Sequence, residues 1–188
     1  GKRWMDLAVS APALVFLLPV LVGVGIWVRL DSAGPALFRQ ERVGRHGQTF
    51  RIHKFRTMHL HDGAGPLVTA SGDARITRAG RWLRRTKLDE LPQFWNVLKG
   101  DMSLVGPRPE RKYFIDEIVK TAPYYYLLHN VRPGITSLGM VKYDYAASVD
   151  KMVERIEYDI LYYENMSLTL DLTILIYTVK TVITGKGV

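Results

Sequence analysis

Residues 7–28 form a run in which Ser10 is the only hydrophilic side chain. A helix of that length reaches roughly 33 Å, enough to cross a bilayer. The run is too apolar for the outer layer of a soluble domain. It fits a secretory signal poorly: it is long, no small-residue cleavage site follows it, and Arg29 and Asp31 come next. Two architectures stay open. In one, a single spanning helix kinks at Pro19. In the other, a helix–break–helix enters the membrane and leaves on the same side. Pro19 lies near the middle, with Pro12, Gly23 and Gly25 weakening the helix further. Each half is then about 10–12 residues, too short to cross. Lys2 and Arg3 precede the run and Arg29 follows it, and basic flanks prefer the cytoplasmic side. The chain begins with Gly1 rather than Met, so an excised piece of a longer protein, with further membrane segments upstream, is an open alternative.

Beyond the run, Asp31-Ser-Ala-Gly-Pro35 marks a turn or linker. Residues 36–40 and 49–55 read as short strands around a turn at 44–47, a β-hairpin. Residues 60–73 hold Gly63, Gly65, Pro66 and Gly72 and predict a loop, a candidate lid. Residues 78–85 and 90–99 predict helices. In the second, Leu91, Phe94, Trp95 and Leu98 share one face, and Gly100 ends it. Gly106-Pro-Arg-Pro109 is a stiff turn, and residues 110–121 predict a helix stopped before Pro123. Val149, Met152, Val153, Ile156, Ile160 and Leu161 mark another amphipathic helix. Residues 168–183 are apolar apart from Asp171 and Lys180, which suits either a core helix or one lying flat in a membrane interface.

Composition narrows the chemistry. Cysteine is absent, which excludes disulfides, zinc ribbons, iron–sulfur clusters and thiolate nucleophiles. The net charge is +8, and residues 1–60 carry +6 of it, with nine Lys or Arg against three acids. Such a surplus beside a membrane segment points to anionic partners: phosphates, acidic lipids or nucleic acid. No nucleic-acid reader module is recognisable, so the last is not expected.

The most suggestive pair is Asp89-Glu90. Pro92 belongs in the first turn of a helix, which makes Asp89 the expected N-cap and Glu90 a first-turn acid. A helix N-terminus favours ionised carboxylates and receives phosphate well. A carboxylate kept anionic there can attack phosphorus or hold Mg²⁺. Ordinary capping accounts for the same two residues. Basic residues cluster nearby: Arg78, Arg81, Arg84, Arg85 and Lys87. Lys54 and Arg56 on a strand, Arg108 held between two prolines, and Arg132 before Pro133-Gly134 are further phosphate-binding candidates. For any single one of these, a solvated basic face is the better explanation. His53, His59 and His61 are too scattered to argue a metal site. Tyr124–Tyr126 and Tyr162-Tyr163 read as packing or interface anchors.

In these residues and their order the chain resembles a known family, the bacterial sugar transferases, which are monotopic polyprenyl-phosphate phosphoglycosyl transferases. The resemblance covers nearly the whole chain. It runs through Lys2-Arg3 and Asp6, Gly34-Pro-Ala-Leu-Phe-Arg-Gln-Glu-Arg-Val-Gly44, Lys54-Phe-Arg-Thr-Met58 and Lys87-Leu-Asp-Glu-Leu-Pro-Gln-Phe-Trp-Asn96. It continues through Lys99-Gly-Asp-Met-Ser-Leu-Val-Gly-Pro-Arg-Pro109 and Arg132-Pro-Gly-Ile-Thr136 to Tyr158-Asp159, Glu164-Asn165 and Leu170-Asp171.

The resemblance implies a mostly helical α+β fold. It places a re-entrant membrane helix over residues 1–30, broken at Pro19, and a catalytic domain over 31–188. That domain carries a small β-hairpin and amphipathic interfacial helices around the active site. It implies transfer of a sugar-1-phosphate from a UDP-sugar to undecaprenyl or a similar polyprenyl phosphate, with release of UMP. Asp89 is the implied nucleophile and forms a phosphosugar–enzyme intermediate; Glu90 supports catalysis, and the pair handles Mg²⁺. Lys54, Arg56, Arg84, Arg108 and Arg132 are the basic candidates for the substrate phosphates. The expected partners are a UDP-sugar, polyprenyl phosphate and membrane lipid, with no nucleic acid and with a homodimer left open. The expected place is the cytoplasmic face of a bacterial inner membrane, at the first membrane step of surface-glycan assembly. A non-catalytic scaffold binding anionic lipid is the rival. Two departures stand out. Leu18 precedes Pro19 where relatives carry Ser, so backbone groups freed at the break need another partner, Ser10 or a different segment. Ser137-Leu-Gly-Met-Val141 stands where many relatives have Gly-Trp-Ala-Gln, a place that would tune specificity.

Overall fold

An apolar run satisfies its backbone best as a helix, and this one does. A computed structural model describes residues 1–60, 73–143 and 148–184 of the chain. Helix α1, Lys2–Asp31, carries Pro12 and Pro19 inside it, and the helical pattern continues through both. Proline removes one backbone donor and bends a helix without necessarily ending it. The greasiest 18-residue window of α1 has a mean hydropathy of 2.4 and is only 11% buried, so it is no core helix.

The two ends of α1 dock and its middle does not. Arg3 donates to the carbonyls of Val97 at 2.6 Å and Leu98 at 2.9 Å, near the end of the helix Gln93–Lys99. Asp6, 1% exposed, accepts from Ser103 Oγ at 2.9 Å and from the Leu104 N–H at 3.0 Å. Lys2 reaches Asp171 at 2.5 Å. At the other end, Val24 and Val28 pack with Phe55 and Leu83. Between them Val15, Phe16, Leu18, Pro19 and Val20 are exposed, Phe16 by 81%. Ser10 is buried and its hydroxyl has no partner, so it does not satisfy the backbone freed at Pro19. Replacing Asp6 by Ala leaves two buried donors without an acceptor. The expected cost is about 2–3 kcal/mol in chemical unfolding in detergent, with Asp6→Asn losing less.

Strands β1 (Leu37–Val43) and β2 (Thr49–Phe55) form the expected antiparallel hairpin, Leu37 opposite Phe55 and Val43 opposite Thr49. Its turn uses left-handed backbone at His46 and Gly47. The first strand runs past the expected end at Gln40 to include Arg42 and Val43. Arg42 meets Glu110 at 3.2 Å and the Val43 N–H donates to the Glu110 carbonyl, a partner far off in sequence. On β2, Ile52 and Lys54 share one face by the two-residue alternation of a strand.

Helices α2 (Arg78–Thr86) and α3 (Gln93–Lys99) follow, then a second, parallel pair of strands, β3 (Ser103–Val105) and β4 (Gly134–Thr136). Gly134 is required there: a Cβ would stand 2.2 Å from the Gly106 nitrogen. Helix α4 (Lys112–Thr121), a 3₁₀ segment Pro123–Asn130 and helix α6 (Val149–Glu164) bury one cluster around Phe114, Ile118, Tyr125, Leu128 and Ile156. Helix α5 (Leu138–Lys142) is capped by Ser137. Helix α7 (Leu168–Thr184) buries Asp171 and Ile174 but leaves Leu168, Leu172, Ile176, Tyr177 and Val179 exposed. Of its two expected roles, core helix is therefore only half right, since one stripe packs and a wide apolar face does not. The described residues are mostly helical with small sheets, the α+β class expected. Of the expected lid, residues 61–72 lie outside the described residues, as does His61. Its flanks are tied by the His59 N–H to the Arg75 carbonyl and the Thr77 N–H to the Thr57 carbonyl.

Candidate active site

The carboxylate pair sits where α2 reverses into α3. Helix α2 lies hard against residue 57: at Gly80 a Cβ would be 2.0 Å from the Thr57 carbonyl oxygen. The contact lets Arg84 Nε donate to Thr57 Oγ1 at 2.9 Å. Helix α2 ends in Lys87, which adopts left-handed backbone (φ 58°), a conformation unusual for a residue other than glycine. A 3₁₀ turn, Leu88–Glu90, comes next, and Pro92 caps α3 in helical backbone. Asp89 is therefore not the N-cap expected from the sequence. Helical dihedrals begin before Pro92, so the pair lies inside the turn and its carboxylates are released from capping.

Both side chains are buried, Asp89 8% and Glu90 9% exposed, yet their environments differ. Asp89 Oδ1 has no hydrogen-bond partner among the described residues. Burial first, then the charge of Glu90, pushes the Asp89 pKa up to about 6, against the pull of Lys54, Lys87 and Arg84. For Glu90 burial also works upward, but Lys54, Arg108 and Lys87 outweigh it and hold the group well below the usual carboxylate range. Lys54 Nζ stands 2.5 Å from Glu90 Oε1. Burial lowers Lys87, partly offset by Glu90. Two neighbouring carboxylates pushed apart in this way divide their labour: Glu90 is a fixed anion clamped by cations, and Asp89 is an under-solvated oxygen with a free lone pair.

A narrow cleft opens beside Glu90, lined by Arg42, Ile52, Lys54, Gln93, Arg108 and Pro109 among others. Glu110 braces its far wall, with Arg155 at 2.6 Å, Arg42 at 3.2 Å and Arg108 at 3.9 Å. The Arg108 N–H donates to Asp159 Oδ2 at 3.3 Å, while Asp159 Oδ1 accepts from the Gly139 N–H at 2.9 Å. The stiff turn thus carries Arg108 on a buried acid from α6.

Of the residues singled out in the sequence, Asp89, Glu90, Lys54, Arg84 and Arg108 come together. Arg56 and Arg132 do not join them. The Arg56 guanidinium is spent on the carbonyls of Ala33 and Ser32, where α1 ends. Arg132 Nε donates to the Gly100 carbonyl at 2.9 Å. His53 is held by Asn96, and among the described residues no three His, Cys, Asp or Glu gather as a metal cage. Sequence reasoning missed Gln93 and Arg42 as cleft residues. Their only signal was membership in the Lys87-to-Asn96 and Gly34-to-Gly44 blocks.

The chain thus joins a buried carboxylate, whose Oδ1 accepts no hydrogen bond among the described residues, with neighbouring cations and a helix apolar enough to enter a membrane. Sequence comparison agrees. A profile of the bacterial sugar transferase family matches residues 1–185, and the chain belongs to that family. It is 43% identical over 187 residues to a UDP-N-acetylgalactosamine-undecaprenyl-phosphate N-acetylgalactosaminephosphotransferase of Aeromonas hydrophila, covering 99% of this chain and 44% of that protein. It is 40% identical over 181 residues to a UDP-glucose:undecaprenyl-phosphate glucose-1-phosphate transferase of Klebsiella pneumoniae, covering 95% of this chain and 39% of that one. An exopolysaccharide production protein of Rhizobium leguminosarum is 39% identical over 198 residues, 99% of this chain and 97% of its own length. The chain thus spans less than half of the first two relatives.

Proposed function

We propose that the protein transfers a sugar-1-phosphate from a UDP-sugar to polyprenyl phosphate through an aspartyl intermediate on Asp89. The observation that carries this reading is the buried Asp89 oxygen, without a hydrogen-bond partner among the described residues, under the charges of Lys54, Lys87 and Arg84. An Asp89 oxygen attacks the sugar-bearing phosphorus. A carboxyl O–P bond forms, the P–O bond to the nucleotide phosphate breaks, and its electron pair leaves on UMP. A phosphate oxygen of the lipid then attacks the same phosphorus, and the carboxylate departs unchanged. The surrounding cations offset the charge that builds on the reacting oxygens.

The donor set suits Mg²⁺: Asp89 supplies an oxygen with no hydrogen bond and Glu90 lies beside it, and Mg²⁺ typically takes one or two carboxylates plus substrate phosphates. When bound it would supply neutralisation of diphosphate charge. Lys54 would hold Glu90 in place for that purpose.

A re-entrant course for α1 is supported by its docking. Both ends bond to one domain, whereas a spanning helix places its ends on opposite faces of the membrane. The exposed apolar faces of α1 and α7 would set the depth of the site, and the basic flanks favour the cytoplasmic face. The chain lacks cysteine, so Gly1→Cys and Ala33→Cys report topology cleanly. Both should react with an impermeant maleimide from the same side of sealed vesicles. The first half-reaction should depend on pH in one direction. The raised Asp89 must be ionised, so UMP formation without acceptor falls about tenfold per unit below pH 6.

Assay of UMP release across a panel of UDP-sugars with polyprenyl phosphate tests the reading. One sugar nucleotide should give lipid-dependent UMP. Binding to anionic liposomes with no UMP from any donor would instead favour the scaffold.

A further inference from the structure

The cleft beside Glu90 holds donors that no interaction described so far uses. Lys54 is taken by Glu90, and the terminal nitrogens of Arg42 by Glu110, the Pro109 carbonyl and Gln40. Two buried donors in the lining have no partner among the described residues: Gln93 Nε2 and Arg42 Nε. Gln93 is 3% exposed, so bulk solvent does not reach it. Buried donors left unpaired are costly, and a wall that keeps two of them suits a ligand that brings acceptors and no hydrogens. The wall carries Arg42, Lys54 and Arg108, and Arg155 shares Glu110 behind it, so cations outnumber the two carboxylates Glu90 and Glu110 and the ligand is an anion. A sugar hydroxyl is both donor and acceptor and neutral, and fits less well. A phosphate oxyanion fits on both counts.

We propose that this cleft seats the departing phosphate of the nucleotide, with Gln93 Nε2 and Arg42 Nε as its hydrogen-bond donors and Lys54 and Arg108 as its counter-charges. The assignment rests on the transfer reading above. Glu90 lines the cleft and Asp89 is its neighbour in the chain. Asp89 also feels the charges of the lining residues Glu90 and Lys54, so with the phosphorus under attack at Asp89 the adjoining phosphate falls into the cleft. The open space is only about 10 Å³, one water's worth. An entering phosphate oxygen has to draw Lys54 off Glu90, exchanging one oxyanion for another at the same ammonium. The Gln93 amide and the Arg42 guanidinium then face the charge that grows on the leaving oxygen.

Gln93→Leu keeps the side chain's bulk and removes the amide. Gln93→Glu keeps its shape and adds repulsion. The test measures UMP, inorganic phosphate and uridine binding to the full chain in lipid nanodiscs by calorimetry. In Gln93→Leu the UMP Kd should rise about tenfold, and in Gln93→Glu further, while uridine binding, lacking the phosphate, stays at the wild-type value. Inorganic phosphate should compete with UMP in the wild type and less well in both variants. The KM for the UDP-sugar should rise in parallel. Unchanged UMP affinity in either folded variant, with the wild type still releasing UMP from its donor, overturns the subsite and leaves the transfer reading standing. A wild type that neither binds UMP nor releases it overturns both. Melting curves identify a variant that has not folded, and the other then decides.

Discussion

Asp89→Asn should abolish transfer, by at least about a thousandfold, and leave the fold intact. An amide at this position cannot attack phosphorus, and no other carboxylate in the pair is positioned to replace it: Glu90 is clamped by Lys54 at 2.5 Å and held far below the usual range by its cations. The stability half follows from burial. Folding raises the Asp89 pKa from 3.8 to about 6, so the folded protein keeps a proton that the unfolded chain has lost. Wild-type stability therefore falls as pH climbs between those values and stays lower above them. The Asn variant has no such slope. At pH 8 it should melt at or above the wild-type temperature, and the difference should shrink toward pH 4. An inactive variant that melts far below the wild type would point to a structural role for Asp89 instead.

Lys54→Met should be the most damaging single change to the fold near the site. The Lys54 and Glu90 side chains are 18% and 11% exposed, so removing the lysine strands a buried carboxylate. Breaking a buried pair from one side costs about 3–5 kcal/mol. The pH dependence should change sign as well. In the wild type, Glu90 sits below its ordinary value of 4.5 and contributes stability above that pH, lost as pH falls toward 2. Without Lys54, burial acts with less opposition, Glu90 moves up, and stability falls as pH rises instead. Lys54→Met with Glu90→Gln should recover much of the lost stability but not the activity. A double-mutant cycle by denaturant titration in detergent reads the coupling directly.

The sequence carried the elements whose cause is local. The hairpin around 44–47, α2 and α6 each follow from periodicity and from turn or cap residues within a few positions. What it did not carry depends on distant partners. Strand β1 extends through Arg42 because Glu110 waits for it, and β3 pairs with β4 across the whole of α4. Three-residue strands and the 3₁₀ segment Pro123–Asn130 are too short to leave a period. The same holds at the site. Asp89-Glu90 could be singled out by type and spacing, but capping explained it equally well, and only the folded chain removes that option. The cations that divide the two carboxylates arrive from β2 and from the 107–109 turn, and the sequence could not rank them. Arg56 and Arg132 looked as promising as Lys54 and Arg108, yet both are committed to backbone carbonyls. Gln93 carries no charge, so nothing in composition pointed to it.

Mass spectrometry of the acid-quenched protein after incubation with its UDP-sugar, without lipid acceptor, tests the central claim most directly. One phosphosugar should be found on the peptide bearing Asp89, and polyprenyl phosphate should discharge it. Lipid-linked product formed with no adduct, or an adduct on any other residue, would contradict the account.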